Sequence, residues 1–118
     1  SGTRQEPAAL AKLKQAEQAR AQAEEARRRY ESEVRAALAD YDIARRRVER
    51  NDMDIVPLAE ERARTTLAAY EGGRAELSAV LEARRMLLEA RLMALNVRAE
   101  AARAWAGLAY LIAERNPK

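Results

Sequence analysis

Apolar residues recur along this chain at alternating spacings of three and four, the period of a helix that packs along one stripe. Leu13, Ala16, Ala23, Tyr30, Val34, Ala37, Tyr41, Ala44 and Val48 share one such stripe, and Arg20 and Arg27 interrupt it. The pattern resumes through Leu58, Ala59, Ala63, Leu67 and Tyr70. It predicts one long helix over about 6–71, because no glycine occurs between Pro7 and Gly72. Pro7 suits a helix start, where its missing N–H costs nothing. Pro57 is the one interior problem, since in an α-helix it forfeits the bond to the Met53 carbonyl and crowds it. A kink at Pro57 is the expectation. A full break, with Asp52 or Asp54 capping a new helix, is the alternative.

Gly72-Gly73 predicts the end of that helix, since glycine takes the left-handed cap conformation at little cost. A second helical pattern follows over about 77–114, leaving a tip at 72–76, and Asn116-Pro117 is the expected stop. So short a link forces the helices antiparallel. The expected fold is therefore all-α, a single long helical hairpin of coiled-coil type spanning 1–118. Its arms would measure about 100 Å and about 57 Å, leaving roughly the first 28 residues without a partner in the chain. The second helix carries two apolar stripes. One is Leu81, Leu88, Leu92, Leu95, Ala99, Ala102, Ala106 and Ala109, and beside it run Val80, Leu87, Ala94 and Ala101. A helix with one partner needs one stripe, so two imply two neighbours. Opposite charges four apart (Glu24 and Arg28, Glu25 and Arg29, Glu31 and Arg35, Glu60 and Arg64) support the helices further.

Composition agrees with long helices and excludes other classes. Of 118 residues 48% are hydrophobic, but 28 are alanine, Phe is absent, and Val, Ile and Thr number only 11. A β-sandwich or α/β core needs more β-branched and aromatic filling than that. Without Cys or His there is no disulfide, thiolate metal site, imidazole ligand or Ser-His or Cys-His pair, and no enzyme is expected. No run of about 18 apolar residues exists to cross a membrane as a helix. The net charge of +3 does not demand an acidic partner. The opening Ser1-Gly2-Thr3 reads as a cloning remnant, so the chain is treated as a fragment of a longer protein.

Local clusters of chemistry are weak. Arg27-Arg28-Arg29 and Arg45-Arg46-Arg47 fan around a helix, have acidic neighbours and lack an aromatic platform, so nucleic-acid binding is not expected. Asp40 with Asp42 and Asp52 with Asp54 point in different directions on a helix and lack the rest of a calcium loop. Met53, Met86 and Met93 are dispersed, which suits filling rather than copper ligation. No metal, cofactor or catalytic residue is assigned.

Residues 70–83 read Tyr70-Glu71-Gly72-Gly73-Arg74-Ala75-Glu76-Leu77-Ser78-Ala79-Val80-Leu81-Glu82-Ala83. This stretch resembles the helix-turn of the TolC-type outer-membrane efflux proteins. Their pattern is Tyr, Gly three later, an aliphatic four after that, then Val-Leu-x-Ala. Tyr70, Gly73, Leu77, Val80, Leu81 and Ala83 match in register. The stretch from Ala102 to Leu111, with Trp105, Gly107 and Tyr110, resembles the close of the return helix in the branch serving heavy-metal exporters. The resemblance implies the second of two hairpins of a homotrimeric outer-membrane factor. In that family twelve helices form a periplasmic tube below an outer-membrane β-barrel, and the barrel alone enters the membrane. Gly72, Gly73, Arg74, Ala75, Glu76 and Leu77 would form the tip that meets a periplasmic adaptor protein, with an inner-membrane pump beyond. Glu82 falls where the family places an acidic constriction ring, although the partner acidic position is Ala79 here. Tyr70 and Arg98 match positions that link neighbouring helices when the tube is closed. Each also reads as an ordinary cap, packing or surface residue.

Two other readings fit the same pattern: the coiled-coil hairpin of a periplasmic adaptor, whose arms are usually more equal, and a structural coiled-coil scaffold. On any of these readings, the efflux one included, the isolated chain is expected to form a dimer or small oligomer, with two hairpins pairing antiparallel to cover their overhangs and spare stripes.

Overall fold

A computed structural model describes residues 2–115, with side chains from Glu6 onward. Helix α1 covers Gly2–Arg50, a π-helical turn covers Asn51–Ile55, α2 covers Val56–Glu71 and α3 covers Leu77–Arg115. No strand occurs among the described residues. The expected stop at Asn116-Pro117 lies outside them. The helix begins at Gly2, earlier than the sequence pattern placed it, so Pro7 lies inside α1. The chain there forfeits the bond that a Pro7 N–H would have made to the Thr3 carbonyl.

The chain divides into two units, residues 1–36 and 37–118. The first is a helix whose Leu10 and Leu13 are exposed. Its ion pairs run along its own surface, from Arg27 to Glu24 and Glu31, from Arg28 to Glu24 and from Arg29 to Glu25. Glu31 is held by Arg27 rather than by Arg35, and in the second unit Arg64 reaches back to Glu61 rather than to Glu60. A guanidinium on its long stem reaches three residues back as readily as four, and exposed pairs of either spacing contribute little to stability.

The second unit is an all-α antiparallel hairpin. On α3 a row of covered residues runs Val80, Ala83, Leu87, Ala90, Ala94, Val97, Ala101, Ala104, Leu108 and Leu111, alternating three and four apart without a gap. This is a coiled-coil seam. Val97, only 1% exposed, is its most buried member. The opposing row runs Ala37, Tyr41, Ala44, Val48 and Asn51, then Val56, Ala59, Ala63 and Thr66. From Asn51 to Val56 the step is five residues, where the repeat demands four. The row therefore contains one residue too many.

The π turn absorbs it. Its closing bond runs from the Val56 N–H to the Asn51 carbonyl, a span of five instead of four. A π turn takes up one extra residue without breaking the helix. Widening the backbone ahead of Pro57 also relieves the crowding that an α-helical Met53 carbonyl would meet at the proline ring. The departure from α geometry thus lies at 51–55, N-terminal to the proline, and is neither a kink centred on Pro57 nor a loop. Deleting exposed Met53 together with Pro57→Ala removes both causes. That variant should melt no lower than the parent by circular dichroism, whereas deleting Met53 alone should lower the melting temperature, because it forces Pro57 into α register.

Candidate functional site

Two places in the second unit combine polar chemistry with fixed geometry: the chain reversal and the level of the π turn. At the reversal, Gly72 ends α2 with φ −85° and ψ 3°. Gly73 follows at φ 75° and is the described residue with positive φ. The Gly73 N–H donates to the Tyr70 carbonyl at 3.0 Å and the Arg74 N–H donates to the Ala69 carbonyl at 2.7 Å. These are the paired bonds of a Schellman cap, which satisfies carbonyls that a helix end leaves free. Nothing lies within 4 Å of where a Gly73 Cβ would stand, so backbone conformation alone demands glycine. At the other end of the link the Ala79 N–H donates to the Glu76 carbonyl at 3.0 Å, closing the first turn of α3. Gly72, Gly73, Arg74, Glu76 and Leu77 are exposed and Ala75 is half-buried.

Tyr70 is exposed on the last turn of α2. Glu82, on the second turn of α3, is not a bare carboxylate. Arg85 Nη2 donates to its Oε1 at 2.6 Å and Arg85 Nε to its Oε2 at 3.1 Å, a two-pronged grip. Arg85 Nη1 also donates to Glu89 at 2.6 Å. The hydrogen bond from Arg85, with its charge, holds the Glu82 carboxyl below the usual glutamate range. Both groups are exposed, so this is a statement about charge rather than stability. Glu82 also edges an apolar groove between α2 and α3, floored by Ile55, Leu58, Ala83 and Met86. The opposite groove is rimmed by Glu60, Arg64, Arg84 and Arg91.

Arg98 does not join Tyr70 and Glu82. It lies sixteen residues along α3 from Glu82, about 24 Å at helical rise. Its Nη2 donates to Asp52 Oδ2 at 2.8 Å, tying α3 to the π turn. One turn away, Arg47 Nη1 donates to Glu100 at 2.6 Å and ties the end of α1 to α3. Between these two clasps sits Asn51, 5% exposed. Its Nδ2 donates to the Arg47 carbonyl at 2.9 Å, while its Oδ1 is buried without a hydrogen-bond partner. A buried amide oxygen left unpaired costs about 1–3 kcal/mol. Sequence reasoning missed Asn51 and the Arg47–Glu100 clasp. The signal was an asparagine on the apolar row at the point where that row slips by one.

The described residues contain no group of acidic side chains placed to hold a metal ion, and no helix long and apolar enough to cross a membrane. Asp52 is engaged by Arg98, and Asp42 by Arg45 and Arg46.

Two outcomes follow. Asn51→Leu removes the unpaired oxygen and fills the row with an apolar side chain of the same branched shape. It should raise stability by about 1 kcal/mol in chemical denaturation. The Glu82 carboxyl should titrate below the ordinary glutamate value of 4.5 when followed by carbon-detected NMR. Because the folded value is depressed, the small benefit of the pair is present at neutral pH and is lost as pH falls through that value. Arg85→Ala should return the midpoint to the ordinary range.

Comparison with protein families, with curated proteins and with solved structures finds no match for the chain.

Proposed function

We propose that this chain is the tip-bearing helical hairpin of an outer-membrane efflux channel. It would be a passive segment of tunnel on the periplasmic side that docks by its tip to a periplasmic adaptor protein. One observation carries the reading: the residues that resemble the TolC-type turn are placed at and just beyond a real chain reversal. Gly73 takes the positive φ. Leu77 opens α3 and is exposed at the tip, Val80 and Ala83 enter the seam, and Leu81 faces outward. The reversal, the seam and the outward face thus each draw on members of the resembling pattern.

On this reading the work is mechanical and no bond is made or broken. The capped turn presents a short, exposed, mixed-charge end to the adaptor, and the two clasps at the π turn hold the arms in register above it. Arg85 accompanies Glu82 in every copy, so a ring of Glu82 around the tube axis would be largely neutralised. Constriction would then rest on packing at Tyr70 and the tip more than on charge. The same compensation favours a second reading, a structural coiled-coil scaffold, in which Glu82 serves only its own helix.

The test is made in the intact protein. Valine at φ 75° is strained by about 1–2 kcal/mol, whereas asparagine tolerates that region. Gly73→Val should therefore reduce export and site-specific crosslinking to the adaptor while leaving expression normal, and Gly73→Asn should largely retain both. Full export and full crosslinking by a normally expressed Gly73→Val protein would remove the tip from the function.

A further inference from the structure

The leucine-rich stripe of α3 does not face the hairpin partner. Leu81, Leu88, Leu92 and Leu95 are 60%, 59%, 52% and 61% exposed, and Ala99, Ala102 and Ala106 continue the row toward the C-terminus. Successive members, with Arg85 included, lie three and four apart, so this is a second row of coiled-coil spacing on the back of the same helix, with Arg85 its one charged member. From Leu81 to Ala109 it runs about 42 Å. Half the girth of a helix of about 11 Å diameter is about 17 Å, so the strip offers about 700 Å², close to the roughly 800 Å² each partner buries in a standard interface.

We infer that this stripe pairs with the same stripe of a second copy, α3 beside α3, parallel and in register. Nothing else in the second unit complements it. The outward rows of the other arm carry Asp42, Arg46 and Glu49 near α3's far end, then Glu61 and Arg64. A head-to-tail contact would lay leucines on those charges. Within the second unit the stripe itself presents the matching apolar row, so the contact is isologous.

The flanks set the direction. One side of the stripe carries Glu82 and Glu89, and the other carries Arg84 and Arg91, which form no ion pair among the described residues. In a parallel pair opposite flanks meet, five residues offset, so Arg84 of each copy faces Glu89 of the other. Arg85 meets its counterpart on the stripe, each already gripped by two glutamates. Per copy that cluster holds Glu82, Arg84, Arg85 and Glu89, two charges of each sign. An antiparallel pair centred on the leucines brings like flanks together, Glu89 near Glu89 and Arg84 near Arg91. This reverses the antiparallel arrangement that the sequence pattern suggested for self-association. The parallel dimer places both Gly72-Gly73 turns at one end. It does not depend on the efflux reading.

The chain contains no cysteine, so single cysteines report the geometry without background. Sedimentation equilibrium of the 118-residue chain at about 50 μM should give twice 13.2 kDa. Leu88→Glu with Leu92→Glu should give a monomer of unchanged helicity, since neither residue belongs to the hairpin seam. Ala99→Cys should crosslink to itself under mild oxidation, because equivalent stripe positions meet in a parallel pair. A monomeric parent would mean that another protein covers the stripe, and the inference fails. It fails equally if the double glutamate variant remains dimeric. Crosslinking of Ala99→Cys to Leu81→Cys in a mixture, without self-crosslinking of Ala99→Cys, would show an antiparallel pair and overturn it as well.

Discussion

Everything in the second unit depends on two apolar rows meeting along their whole length when one of them is a residue too long. The α3 row keeps strict three-four spacing from Val80 to Leu111, while the opposing row slips between Asn51 and Val56. A helix resolves such a mismatch by supercoiling over many turns or by widening one turn. This chain widens one turn. The location of the π turn, the tolerance of Pro57 just after it and the burial of Asn51 are three aspects of that one adjustment. The Arg47–Glu100 and Arg98–Asp52 clasps bracket it, holding both phases of the row against α3 at the level where the register changes.

The features that were legible in the sequence are those set by local chemistry. Gly72-Gly73 announced the reversal because only glycine takes φ 75° without strain. The first-arm row from Ala37 to Val48 was legible because its period is unbroken. Two features were not. Both stripes of α3 were legible, but not which of them meets the first arm: the seam uses Val80, Leu87, Ala94 and Ala101, with Ala83 and Ala90 between them. Small residues let two helix axes approach, and the gain is dispersion contact that a hydropathy count does not register. The one-residue slip was also hidden, since Pro57 offered a nearer explanation for any irregularity. Counting across it exposes the slip, but only once the members of the row are known. Of the candidate site, the tip residues sit together as the turn, whereas Arg98 is bound far from Tyr70 and Glu82 by an in-chain partner that sequence spacing does not reveal.

Part of the charge on this hairpin is settled within the chain. Arg85 balances Glu82 and Glu89, Arg64 balances Glu61, and the clasps use Asp52 and Glu100. Such exposed pairs add little stability singly. Their effect is to remove bare charge from the surfaces a neighbour would meet, so that shape and apolar rows decide what packs where. Arg84 and Arg91 are exceptions beside the leucine stripe, and direction is most readily encoded there.

The capped turn also orders events in time. Facing residues near the tip are separated by only a few positions in sequence, whereas the clasps join residues 46 and 53 apart. The entropy of closing a loop rises with its length, so contacts beside the turn form at least cost, and each one shortens the loop that the next must close. The hairpin therefore zips from Gly72-Gly73 outward. The zipper runs through α2 in one phase, and at the π turn it must change phase before the end of α1 can dock. At that wide turn, with an asparagine in the seam, each added contact gains least.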